Sequence, residues 1–134
     1  MFTKTLIATI VFLILDAIWL GFLAKQMYIN SIGSILKMSN GAMDPNWGAA
    51  IVVYVALIAG LMIFVIPKAN NNALMALIWG GLFGMITYAV YDFTCMAVLS
   101  TWSLQMSVID TLWGMVICGL TSFFTVYLSQ LLTR

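Results

Sequence analysis

Four long apolar runs, separated by three polar breaks, organise the chain. Thr5 to Ala24 carries one charge, Asp16. Its length of about 20 residues crosses a hydrocarbon core at about 1.5 Å per residue. Further runs cover about 48–66, 73–99 and 104–131. The last two exceed what a perpendicular span requires, which predicts tilt or ends that reach the headgroups. Pro67, Lys68 and Asn70-Asn71-Asn72 end the second run and start the third, and Ser100-Thr101-Trp102-Ser103 divides the third from the fourth. Between Lys25 and Trp47 the polar residues Asn30, Ser31, Ser34, Lys37, Asn40 and Asp44 mark an extramembrane or interfacial segment. Tyr28, Ile32 and Ile35 recur there at helical spacing, so the segment is either a short helix lying on the membrane surface or a frayed loop. Asp44-Pro45-Asn46-Trp47 then reads as a turn, with Asp44 as N-cap, proline in the first helical turn and tryptophan at the interface.

Composition agrees with that pattern. With 64% hydrophobic and 7% charged residues, the chain is far from the balance of a soluble domain, and a bilayer accepts helices that are apolar all round. The expectation is an all-α integral membrane protein, one four-transmembrane-helix bundle over 1–134 whose partner is the lipid bilayer. The first run lacks a small-residue cleavage site, which predicts a retained helix. A formal net charge of +1 and scattered lysines leave no basic stripe, so no nucleic acid is expected as a partner. Lys4, Lys68 and Arg134 on one side against Lys25 and Lys37 on the other, three against two, favour both termini in the cytoplasm, with a dual orientation as the alternative. Gly80, Gly81 and Gly84 in the third run, and Gly114, Cys118 and Gly119 in the fourth, have the small-residue spacing that brings helices close.

Asp16, Asp92 and Asp110 are the informative positions. A carboxylate inside a span costs about 2.5 to 3.5 kcal/mol on insertion scales. Counted from the run ends, each lies about 9 to 12 Å below the face that carries the first and third loops, so antiparallel threading brings all three towards one leaflet. Asp16-Ala17-Ile18-Trp19 and Asp110-Thr111-Leu112-Trp113 share the form Asp-x-x-Trp, which sets each indole on its aspartate's face. Tyr88, Tyr91 and Thr94 near Asp92, Tyr54 at a comparable depth in the second run, and Ser107 one turn before Asp110 complete a polar, aromatic-walled pocket. No basic residue lies within a span, so the cluster is expected to hold protons or a bound cation at neutral pH. The competing reading is structural: neutral aspartates hydrogen-bonded across helices to Tyr54, Tyr88, Trp19 or Trp113.

Other chemistry drops out. The chain has no histidine, which excludes imidazole catalysis and haem ligation through histidine. Cys95 and Cys118 lack a CxxC spacing, and the ten methionines form no coherent set, so neither a metal nor a cofactor is implied. Cys95 has no base beside it to make it a nucleophile.

The ordered set Asp16-x-x-Trp19-Leu20-Gly21, Tyr88-Ala89-Val90-Tyr91-Asp92-Phe93-Thr94 and Asp110-x-x-Trp113-Gly114 resembles bacterial inner-membrane proteins grouped as domain-of-unknown-function family 2177. The resemblance covers essentially the whole chain and implies a bacterial inner membrane. It carries no activity. The residues themselves favour proton- or cation-coupled binding or transport of a small or amphiphilic solute, with a homodimer supplying a second half for alternating access. The alternatives are an intramembrane enzyme acting on a lipid or membrane-soluble substrate by carboxylate acid/base chemistry, and a structural or accessory subunit.

Overall fold

A computed structural model describes residues 1–133, and Arg134, counted above towards orientation, lies outside them. Helix α1 (Phe2–Ile18) continues through a π-helical turn, Trp19–Leu23, as one apolar helix. A short helix α2 (Lys25–Ile32) and a two-residue hairpin, β1 (Met38–Ser39) with β2 (Ala42–Met43), follow. Helix α3 (Trp47–Gly60) also ends in a π turn, Leu61–Val65, and is followed by α4 (Ala73–Val98) and α5 (Leu104–Leu132). The architecture is all-α, with four helices long and apolar enough to cross a membrane.

The outer faces are apolar and the inner faces carry the polar groups. Ile10, Ile14, Val52, Val55, Ile86 and Leu112 are exposed, while Asp16, Asp92, Ser107, Asp110, Thr121, Ser122, Thr125 and Ser129 are buried. A bilayer, rather than water, suits that distribution. On α5 the hydroxyls of Ser122, Thr125 and Ser129 donate to carbonyls of their own helix, at Cys118, Thr121 and Val126.

α4 and α5 pack along most of their length, and glycine makes the approach close. A Cβ at Gly84 would overlap the Gly114 carbonyl, one at Gly80 the Ser122 hydroxyl, and one at Gly114 the Tyr88 ring. α1 packs mainly on α5, whereas α3 meets α1 at few residues and joins the bundle chiefly through its π turn. At the end away from the hairpin, Lys4 Nζ donates to Asn71 Oδ1 at 2.7 Å and Gln130 Nε2 donates to the Asn71 carbonyl.

One local expectation changes and one is settled. Asn46, not Asp44, caps α3: its Oδ1 accepts from Ala49 N at 3.2 Å, while the Asp44 N–H donates to the Lys37 carbonyl and closes the hairpin. Lys25–Ile32 is the short helix and not a frayed loop, and its inner face lies on the bundle. Ile32 is buried, and Tyr28 reaches α5, because a phenol on an otherwise apolar face needs a polar partner. Helix caps and the Asn40-Gly41 turn, both residues at positive φ, fix the remaining connections.

Candidate functional site

Asp16, Asp92 and Asp110 sit on three of the long apolar helices, all near the end covered by α2 and the hairpin, with 7%, 0% and 6% of their surface exposed. Each meets different company. The Tyr54 hydroxyl donates to Asp16 Oδ2 at 2.7 Å, joining α3 to α1. The Tyr28 hydroxyl donates to Asp110 Oδ1, joining α2 to α5. The second oxygen of each of these carboxyls has no donor among the described residues. Asp92 has neither oxygen paired, although both are buried. It lies within hydrogen-bonding reach of Asp110, yet two acceptors bond only when a proton stands between them.

Asp16 and Asp110 open into one inner cavity of about 220 Å³, walled by Trp19, Leu20, Tyr28, Tyr54, Tyr88 and Trp113. Among the described residues no lysine or arginine lines it. The two Asp-x-x-Trp segments meet there: the Trp19 and Trp113 rings stack at 4.4 Å with 4° between their planes, bridging α1 and α5. The spacing of three put each indole beside its aspartate, and the stack uses that placement to bind the two helices. Neither indole N–H has a hydrogen-bond partner among the described residues. The π turn begins at Trp19, so the ring belongs to a stretch of backbone wound wider than an α-helix.

Three further spaces adjoin this cavity. One of about 550 Å³ lies on the hairpin side, where Lys25, Met43, Pro45 and Trp47 approach Asp16. One of about 510 Å³ lies towards α4, lined by Tyr28, Ile32, Tyr91, Cys95, Trp102 and Asp110. The third is an apolar groove between α1 and α3 that shares Tyr54 with the inner cavity. Tyr28 therefore stands between the inner cavity and the α4 side, and burial, followed by the nearby Asp110 carboxyl, pushes its phenol well above the usual tyrosine range.

Most residues singled out in the sequence gather here, with exceptions. Tyr88 lines the cavity against Gly114. Ser107 is buried, and its hydroxyl donates to the Asp92 carbonyl at 3.3 Å, not to a carboxyl. Tyr91 is exposed and meets Trp102 edge-on at 5.9 Å on the α4 side, outside the inner cavity. Thr94 is exposed on the outer face of α4 and lines none of these spaces: two residues from Asp92 is about 200° around a helix. Gly80, Gly84 and Gly114 lie in the α4/α5 contact. Sequence reasoning missed Tyr28 and Trp102. The Tyr28, Ile32, Ile35 stripe is the available signal for Tyr28, whereas nothing in the Ser100-Thr101-Trp102-Ser103 break marks Trp102, which lines the α4-side space and meets Tyr91. Among the described residues no three His, Cys, Asp or Glu side chains are grouped to hold a metal ion.

Four apolar spanning helices around a buried polar cluster define a helical membrane protein. The chain belongs to the family of predicted membrane proteins known as domain of unknown function 2177 (DUF2177), whose family model matches residues 1–127. No curated protein and no solved structure matches it.

Proposed function

We propose that Asp16, Asp92 and Asp110 form one intramembrane site that binds a small or amphiphilic solute and exchanges it against protons or a cation. The observation that carries this reading is the shared cavity: Asp16 and Asp110 line one aromatic-walled space with no basic side chain among the described residues, and Asp92 stands within reach of Asp110. Carboxyls this close repel when all are ionised, so a proton or a cation completes the cluster, and a bound solute that supplies the charge displaces it. Intramembrane acids are a common means of such coupling. One four-helix bundle gives little room for alternating access, and a second copy of the chain supplies the other half in a homodimer. The setting is a bacterial inner membrane with both termini cytoplasmic, the Lys4 and Lys68 end inward.

The juxtaposed Asp92 and Asp110 carboxyls favour a second reading, an intramembrane acid/base enzyme with one as acid and the other as base. Proton release on solute addition supports exchange, and a new product supports catalysis. The test of the shared site is infrared difference spectroscopy of carboxyl protonation against pH, in the wild-type protein and in each Asp→Asn variant. A coupled titration, shifted at the remaining sites by each substitution, is expected. Three independent carboxyls that never change protonation would mean that the aspartates only join helices.

A further inference from the structure

The weak contact between α1 and α3 opens the bundle beside the acid cavity. An apolar groove of about 560 Å³ runs between these helices, lined by Phe12, Leu13, Val55, Ile58 and Ala59 among others. It follows α1 from Thr5 to Leu13, about 12 Å of helix at the usual rise. The Thr5 and Thr9 hydroxyls in it already donate to carbonyls of their own helix, so the groove offers a chain, not a polar group, a place to lie. Tyr54 lines it near the hairpin end, one turn from Ile51, and also walls the inner cavity; its hydroxyl donates to Asp16 where the two spaces meet.

We propose that the ligand is a single-chain amphiphile with a positively charged nitrogen head group, the head between Asp16 and Asp110 and the chain in the α1/α3 groove. This rests on the reading of the acid cavity as a solute site. Charge decides the head: among the described residues, two buried carboxyls each have an oxygen without a hydrogen-bond donor, a third carboxyl behind them is unpaired, and no cationic side chain lines the cavity. The walls add to this: Trp19 and Trp113 cover one another's inner faces, but the Tyr28, Tyr54 and Tyr88 rings also line the cavity, and aromatic faces attract a cation. The route is lateral. Lys25 lines the hairpin-side approach to Asp16 but not the groove, so a cationic head arriving from the lipid past Tyr54 avoids it. The groove itself gives little attraction, since lipid tails are as apolar as its walls. The head anchors the molecule, and the groove fixes where its chain lies.

The test uses the full-length protein in phosphatidylglycerol vesicles, whose lipid head carries no nitrogen. The probe is dodecyltrimethylammonium with a photoreactive diazirine at the end of its chain. Crosslinks should concentrate on α1 and α3 residues of the groove and be competed by unlabelled dodecyltrimethylammonium. They should fall about tenfold or more in Asp16→Asn/Asp110→Asn, as loss of charge-assisted contacts requires. Ala59→Phe, which fills the groove from an exposed position, should move the label elsewhere. Crosslinks spread evenly over the apolar outer faces of the wild-type protein would overturn the proposal, with no variant needed. Tetramethylammonium separates the two levels of the argument. If it shifts the carboxyl infrared bands while the long-chain probe labels evenly, only the amphiphile inference falls; if the carboxyls neither titrate together nor respond, the underlying site falls with it.

Discussion

Tyr28 has one hydrogen-bonding side-chain atom and gives it to Asp110, 82 positions away in the chain. Tyr28→Phe leaves that carboxyl without its donor, an unmet buried group that costs about 1–3 kcal/mol. We expect a lower melting temperature in detergent, and a smaller loss for Asp110→Asn, whose amide oxygen still accepts from Tyr28. A Phe variant as stable as wild type would show that the contact holds nothing. The sign of the pH effect follows from burial, which together with the Asp110 carboxyl raises the phenol. Stability from this contact is complete below the ordinary tyrosine value of about 10 and is lost as pH rises beyond it. In an ultraviolet titration, wild type and Tyr28→Phe should superimpose near pH 10; tyrosinate missing from the variant there would refute this. Asp92 is the opposite case, a carboxyl with no partner to lose. Asp92→Asn keeps its size and removes its titration, so the circular dichroism spectrum should be retained while proton exchange at Asp110 changes. Unfolding of both Asp92→Asn and Asp110→Asn in detergent would point to structural acids instead.

The α4/α5 pair is held by backbone proximity, so its tolerance differs sharply from that of the other helices. Gly84→Leu drives a side chain into the Gly114 carbonyl and Cys118, and overpacking of this kind costs about 1–3 kcal/mol or more. Gly21, in the π turn after α1, has nothing within 4 Å of an added Cβ, so Gly21→Ala should be neutral or stabilise by about 0.5–1 kcal/mol. Thermal denaturation of the two variants checks the contrast, and equal effects would argue against the close α4/α5 approach. Gly114→Ala belongs with the first case, and because its neighbour is the Tyr88 ring it should also disturb the cavity wall. The small-residue spacing of these helices was legible in sequence because it repeats along one face. The π turns were not, since nothing in Trp19–Leu23 or Leu61–Val65 departs from an ordinary apolar helix.

For the molecule as a whole, the fold class could be read because hydropathy is a one-dimensional signal and a bilayer imposes its length on each run. The cover over the acid cluster could not. Its parts are a phenol pointing inward from α2 to a partner 82 positions away, a local hairpin of two residues a strand turning at Asn40-Gly41, and an indole from the α4/α5 turn that meets Tyr91, and only their packing together over the acids makes a cover. Thr94 shows the reverse error, nearness in sequence taken for nearness on a helix face. The cover also makes the last prediction, since it separates the chain's two thiols. Cys95 is half-buried on the α4-side cavity beside Tyr91 and Trp102, whereas Cys118 is buried in the α4/α5 contact. In Cys118→Ser protein, a membrane-permeant maleimide should label Cys95 slowly with the cover closed. Tyr28→Phe, which cuts the tie between α2 and Asp110, should label faster, while Gly21→Ala should not. Acceleration by Tyr28→Phe would mean that the phenol holds α2 down on the bundle and that the α4 side opens when it lets go. Equal rates in the two proteins would mean that Ile32 and the hairpin keep the cover in place without it, and that a solute must enter by another side.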